Sequence, residues 1–340
     1  MILNILLILI VVVSLLYYLN RKLKRFKIKR IFKLERAALM LKDLSYSRAV
    51  PNSKLKASFN LSNPFVNDDP EWRIKFRQTI QKRIHQCCSE SDFKSRMHNS
   101  LNSFLGLHSK GIELPLFINT SVIYTFLDVF CDCDLSLLAP NDLIHLSNEI
   151  ANTWVQSKSD NKLEPFSGDC LSRLLSTMDS GLKEIVKHNL LNLVLPGCDT
   201  LWRFILFYIL SIYNSHEKLA AYKLATKEQN GLLFDAIIKQ YPPAKSIYRE
   251  KDGIIFVVDV VAINKEGENN LSFSTGEREC PAKRKYVPMF VNYYTAWFIE
   301  YIEKSGLEAE LMKISHKVEL RELHQKNRVD LLKMTLIQLI

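Results

Sequence analysis

An uncharged apolar run opens the chain. Residues 2–19, ILNILLILIVVVSLLYYL, are interrupted only by Asn4, Ser14 and the paired Tyr17 and Tyr18. In a helix rising about 1.5 Å per residue, such a run approaches the roughly 30 Å hydrocarbon thickness of a bilayer. The dense basic stretch RKLKRFKIKR comes directly after it. From residue 37 the pattern becomes helical. PEWRIKFRQTIQKRI, residues 70–84, places apolar side chains at 72, 76, 80 and 84, a stripe on an otherwise basic helix. A second helix is expected through IYTFLDVFCDCDLSLL (123–138), and a third through NDLIHLSNEIANTWVQ (141–156), with Asn or Asp as its cap. Residues 158–169 are polar, with a Pro and a Gly, and predict an internal loop. The longest later apolar stretch, 181–213, contains Lys, His, Asn, Pro, Gly, Asp and Arg. Those interruptions predict a buried central helix rather than a second span, kinked at Pro196-Gly197. The kink leaves Asp199 and Thr200 in apolar surroundings, where each needs a partner. FVVDVVAINKE (256–266) alternates like a strand pair, and residues 281–304 read as a further helix.

Composition narrows the class. A chain of 340 residues can bury a large core, and only 10 Gly and 11 Pro argue against extensive turn-rich β structure. Seven cysteines without a repeating spacing argue against a disulfide framework and for reduced thiols. Cys131 and Cys133 stand too close for the usual zinc pair, and no P-loop or GxGxxG fingerprint is present. The net charge of +10 suggests nucleic acid until it is located: residues 21–36 hold nine Lys or Arg and one Glu, so the remainder is nearly neutral. A basic segment directly after an apolar span instead obeys the positive-inside rule. It puts the rest of the chain in the cytoplasm, with the basic segment against anionic headgroups. A cleaved signal peptide with a secreted domain is the alternative, but it requires a basic start and a small-residue cleavage site that this run lacks.

FSTGERECPA, residues 273–282, concentrates the chemistry of the chain. A metal-binding thiolate at Cys280 needs partial neutralisation and shielding from water. Gly276 allows close approach of the backbone to a flat ring, Arg278 suits a carboxylate, and Phe273 can wall off the sulfur. A turn holding a buried structural Cys is the bland reading. The spacing resembles the haem-binding signature of the cytochrome P-450 family at all five defined positions, with Ala282 as the accepted small residue. The resemblance continues elsewhere. Pro196-Gly197-Cys198-Asp199-Thr200 is similar to that family's Ala-Gly-x-Asp/Glu-Thr at Gly, Asp and Thr. Tyr241-Pro242-Pro243 with Arg249 looks like its Pro-Pro turn and propionate-pairing Arg. The strand after it resembles one common in fungal members, with Asn264 in place of their usual His. Trp72 resembles the Trp of a propionate-contacting Trp-x-x-x-Arg helix, although Phe76 occupies the arginine position and Arg77 comes one place late. The family's Glu-x-x-Arg is missing, with Ala236 and Lys239 at its positions, and so is the segment between Asn264 and Phe273.

The resemblance implies a mainly α, cytochrome P-450-like helical fold with a reduced β-sheet behind one N-terminal transmembrane helix. It divides the chain into a signal-anchor at 1–20, a basic juxtamembrane linker at 21–36 and a shortened haem domain at 37–340. It implies haem b with Cys280 as axial thiolate, cofactor contacts at Trp72, Arg249, Phe273, Gly276 and Arg278, and proton delivery by Asp199 and Thr200. The implied activity is monooxygenation of a lipophilic small molecule, of the kind found in secondary metabolism, with NADPH electrons arriving through a reductase. The protein would be single-pass in the endoplasmic reticulum membrane, its main domain cytosolic, with no nucleic-acid partner. A diverged or truncated non-catalytic relative, keeping the loop and the tether, is the alternative.

Overall fold

The computed structural model describes residues 27–107, 111–158, 166–266, 270–334 and 336–339. The expected membrane span at 1–20 and the centre of the polar loop, residues 159–165, lie outside them.

Four helices, Glu90–Leu107, Leu114–Thr125, Leu201–Ile212 and Tyr286–Lys304, pack together as the central bundle. Leu201–Ile212 is apolar except at Arg203 and Ser211 and therefore takes the middle of the core, with every residue from Leu201 to Leu210 buried. The stretch Leu191–Ile212 is long and apolar enough to cross a membrane, yet 83% of its most apolar window is buried inside the protein. The central-helix expectation holds, and the Pro196 effect is visible at atomic level. Proline offers no amide to the Asn192 carbonyl one turn earlier, and the Asn63 side-chain amide donates to that carbonyl at 3.1 Å instead. The helix is interrupted at Asp199-Thr200, between Leu191–Cys198 and Leu201–Ile212.

The helix Pro70–Cys87 follows its sequence pattern. Asp69 caps it by accepting from the amides of Glu71 and Trp72, and Pro70 stands in the first turn. Phe76, Ile80 and Ile84 are buried, and Trp72 is half-buried. Other boundaries move. The helix expected through 123–138 begins at Leu114 and ends in a π-helical turn, Phe126–Phe130. Arg83 fastens that turn: its Nε donates to the Phe130 carbonyl at 2.6 Å, and Nη2 reaches Asp132 at 3.0 Å. The helix Asp142–Gln156 has no side-chain cap from Asn141. Asp142 instead turns back to accept from the Ala139 amide at 2.8 Å.

Two expectations about the sheet are corrected. The basic segment assigned to a linker through residue 36 is folded from Lys27 on: Lys27–Ile31 is a strand, parallel to Ile254–Val258. Its Lys and Arg side chains face solvent while Ile31 enters a small core with Val258 and Leu41, so a charged edge strand serves where a tether was expected. Residues 256–266 are not a strand pair. The pair is Ser246–Lys251 with Ile254–Asp259, joined at Asp252 and Gly253, both at positive φ. Asp259 then accepts the Ala262 amide and starts the helix Val260–Glu266. A local side-chain bond outcompetes continued alternation there. The β structure among the described residues is a three-stranded and a two-stranded sheet, reduced as expected.

Candidate functional site: the thiol loop and its arginines

The loop carrying Cys280 is a compact turn. Ser274 and Gly276 both have positive φ, Glu279 donates its amide to the Gly276 carbonyl, and the Cys280 amide donates to Phe273 at 2.9 Å. Gly276 is required twice over. Its φ of +72° suits glycine, and a Cβ there would come 3.2 Å from the Lys42 Cα of the helix Leu34–Lys42. Phe273 and Ala282 pack against the main core, so the loop rests on the bundle.

The backbone amides of Ala282 and Lys283 lie near the Cys280 sulfur, and the Lys283 amide donates to the Cys280 carbonyl at 3.2 Å. Burial raises its pKa above the ordinary thiol value, while those two amides and the Arg48 guanidinium pull it down. Donors near sulfur stabilise a thiolate, and burial penalises it until a further positive charge arrives. This is the donor arrangement that a metal-ligating cysteine needs.

Three arginines surround the loop. Arg249, on the strand Ser246–Lys251, is 2% exposed. It donates Nη1 to the neighbouring Tyr248 carbonyl, while its buried Nε has no partner among the described residues. Arg278 donates to the carbonyls of Tyr46 and Leu44 and reaches Asp68 at 3.4 Å. Arg48 lies 3.5 Å over the Phe65 ring. Burial lowers the pKa of all three; Arg249 and Arg278 lower that of Arg48 further, and Arg249 falls to about 10. Asp68 is the one carboxylate common to the three guanidiniums, with Glu277 and Asp43 acting on Arg278 alone, and the Arg249 Nε without a partner among the described residues marks where an acceptor is wanted.

Side-chain bonds from Arg73 and Arg77 hold the loop in place. Arg77 donates to the carbonyls of Glu277 at 2.7 Å and Glu279 at 3.0 Å, and Arg73 pairs with the Glu277 carboxylate. Thus Arg77, out of register for a cofactor contact, grips the loop backbone itself. Asn264 is fully buried and donates to Asn270 and Ser272 while accepting from the Leu271 amide. Ser272 in turn donates to the Ile238 carbonyl in the helix Lys227–Gln240. Among the positions of the absent motif, Ala236 is exposed and Lys239 half-buried, so no charge is orphaned in the core.

The other residues singled out by sequence are placed differently. Trp72 donates its indole N–H to the Ser62 carbonyl at 2.7 Å, under the Lys187 ammonium, which is 4.5 Å from the ring. Asp199 is buried in a two-point ion pair with Arg328 of the helix Arg328–Leu332, and does not stand free for proton delivery. Thr200 is half-buried beside it. Gly197 is covered: a Cβ there would strike the Phe126 ring at 2.5 Å. Sequence reasoning missed Arg48, Asp68 and Arg328, which lie in polar stretches with no motif to single them out.

No protein-family model matches this sequence, and no curated protein matches it. Solved structures do match. CYP175A1 from Thermus thermophilus aligns over 80% of this chain and 81% of its own, with a TM-score of 0.58 at 12% identity. CYP154A1 from Streptomyces coelicolor A3(2) aligns over 81% and 84%, with a TM-score of 0.58 at 11% identity. The cytochrome P450 CxnD, for C–S bond formation in chuangxinmycin biosynthesis, aligns over 78% of each chain, with a TM-score of 0.53 at 12% identity. The element order around Cys280, the bundle and the sheet is therefore the cytochrome P450 fold.

Proposed function

We propose that this chain is a haem-thiolate protein of the monooxygenase class. The observation that carries the reading is Cys280 at the end of a tight turn built on Gly276, close to the buried arginines Arg249 and Arg278. The residues fit the group: Cys280 would hold iron, while Arg48, Arg249 and Arg278 would receive its two carboxylates, Arg249 through the Nε now lacking a partner. When bound, a thiolate-ligated haem activates dioxygen with two electrons and inserts one oxygen atom into an apolar substrate. This chain's own contribution is positional. Phe273 and Ala282 keep one side of the loop against the apolar core. Arg77 and Asn264 hold its two ends, fixing the direction of the Cys280 side chain.

The apolar run at 2–19 and the basic stretch after it support a single-pass anchor in the endoplasmic reticulum membrane, facing an NADPH-dependent reductase on the cytosolic side. The strand Ile254–Asp259 ahead of Asn264 is the feature that supports kinship with fungal members, and a lipophilic substrate, of the kind found in secondary metabolism, goes with that reading. A second reading is a diverged relative that keeps the loop without turnover. It is favoured by Asp199, committed to Arg328, and by Gly197, covered by Phe126.

The purified protein, reconstituted with haem, reduced and exposed to carbon monoxide, should give the red-shifted Soret band of thiolate ligation. Cys280→Ala should abolish that band. A well-folded wild-type protein that takes up no haem would overturn the proposal. Haem uptake without substrate-dependent oxygen consumption would select the second reading.

A further inference from the structure

A groove of about 390 Å³ opens where the C-terminal segment crosses the ends of two earlier helices. Asn214 lies just past Leu201–Ile212, Tyr241 just past Lys227–Gln240, and residues 316–321 where Glu308–Lys317 gives way to Leu320–Gln325; all of them line it. A space of that size takes an organic molecule rather than a lone ion. Tyr241 is 7% exposed and its ring stacks on Phe207, with centroids 5.6 Å apart, yet its hydroxyl makes no hydrogen bond among the described residues. Burial raises the pKa of this phenol and the Arg321 guanidinium draws it down, the sign of a cation nearby. Lys317, Glu319 and Arg321 are exposed, and none of their side chains has a hydrogen bond or ion pair among the described residues. The His316 ring is held by its Nδ1, 2.8 Å from the Asn214 carbonyl. A carbonyl can only accept, so Nδ1 carries the proton there and Nε2 is the nitrogen left for a ligand.

These groups sort by chemistry. Lys317, Arg321 and the Tyr241 hydroxyl supply donors and two positive charges, and an arginine fork with a lysine point charge suits a phosphate. Glu319 and the Nε2 of a neutral His316 supply acceptors. The C-terminal end of Glu308–Lys317 adds partial negative charge beside Glu319. A bare anion would be repelled there and would leave most of the space empty, whereas ligand hydroxyls would find acceptors. We infer that the groove binds a phosphate monoester of a hydroxyl-bearing small molecule, of the sugar phosphate class. Its phosphate meets Lys317, Arg321 and Tyr241, and its hydroxyls meet Glu319 and His316. No residue of this groove belongs to the thiol loop or its arginines, so the inference stands whether or not haem is bound at Cys280.

The test is isothermal titration calorimetry on the purified full chain at physiological ionic strength, with glucose 6-phosphate, inorganic phosphate and glucose as probes. Glucose 6-phosphate should bind at one site, at least tenfold tighter than inorganic phosphate, and glucose should give no detectable heat. Arg321→Gln should weaken glucose 6-phosphate at least tenfold, and Lys317→Gln at least threefold. Glu319→Gln should act in opposite senses, strengthening inorganic phosphate and weakening the sugar phosphate. Lys326→Gln removes the same charge from an exposed position outside the groove and should leave binding within twofold of the wild type. All four positions are exposed, so thermal unfolding should find each variant as stable as the wild type. Four results would each overturn the inference: no binding of glucose 6-phosphate, equal binding of inorganic phosphate (an adventitious ion only), glucose binding as tightly as its phosphate, or equal losses in Arg321→Gln and Lys326→Gln.

Discussion

The protein buries two groups of arginines, and they are held in opposite ways. Around the thiol loop, Arg278 is satisfied by main-chain carbonyls of residues 44 and 46, with a half-exposed Asp68 as the shared counter-charge. At the break of the central helix, Arg328 is satisfied almost wholly by one buried carboxylate, Asp199, while Arg203 has donors without partners among the described residues. Carbonyl acceptors disperse a guanidinium charge over dipoles fixed by the fold, so losing one bond costs little. A single buried carboxylate concentrates the compensation, so losing it exposes the whole charge. The loop cluster is thus tolerant and the helix cluster brittle.

Removing each carboxylate breaks the comparison most directly. Asp199→Asn should destabilise the protein by about 3–5 kcal/mol, because Arg328 and Arg203 are then both uncompensated in the core. Asp68→Asn should cost about 1–2 kcal/mol, since Arg278 keeps two carbonyls and the new amide still accepts through its oxygen. Chemical denaturation of the two variants measures both, and equal losses would refute the distinction.

Acid separates the clusters next. His324 is buried, its ring nitrogen 2.9 Å from the Pro242 carbonyl. Burial first, and then Lys245 and Arg203, depress its pKa to about 4, against the Pro242 carbonyl, which raises it. The unfolded chain, with a His pKa near 6.5, therefore takes up a proton before the folded protein does. Stability is fully present above about pH 6.5 and is lost as pH falls toward 4, by on the order of 3 kcal/mol. Asp68 behaves differently. Burial raises its pKa, but the Ser47 hydroxyl and the amides of Arg48 and Ala49 outweigh that and hold it below the usual 3.8. Its contribution is lost only below the carboxylate range. Unfolding free energies between pH 7 and 4 should fall in the wild type and stay flatter in His324→Gln; parallel curves would remove His324 from the account.

The smallest expected effect concerns the backbone of the tolerant cluster. Gly276→Ala should cost about 1–2 kcal/mol through its left-handed φ and the approach to Lys42, and should speed amide exchange at Cys280 more than at Leu206 in the bundle. Uniform exchange rates across both sites would show that the loop is not held as a local unit.

Much of this molecule can be read from the chain because the signals concerned are local. Apolar spacing at 72, 76, 80 and 84 determined the helix Pro70–Cys87, and Asp69-Pro70 determined where it starts. The hydrophobicity of 201–212, interrupted only by Arg203 and Ser211, determined a buried centre, and Pro196 the site of its distortion. The spacing of FSTGERECPA determined a turn that presents Cys280, since glycine at position 276 and amides after the sulfur are properties of neighbours in sequence. What tertiary structure alone decided is which distant partner each polar group meets. Asp199 and Arg328 are 129 positions apart, and the two residues carry no pattern that joins them. Lys27–Ile31 reads as part of a basic juxtamembrane linker until Ile254–Val258 offers it a ladder. Arg48 and Arg249 become one cluster only when the first helices fold over the sheet. Periodicity is imposed by the geometry of one element and is written in its own residues. Pairing of buried charges is imposed by the low dielectric between elements, and that medium exists only after the chain has folded.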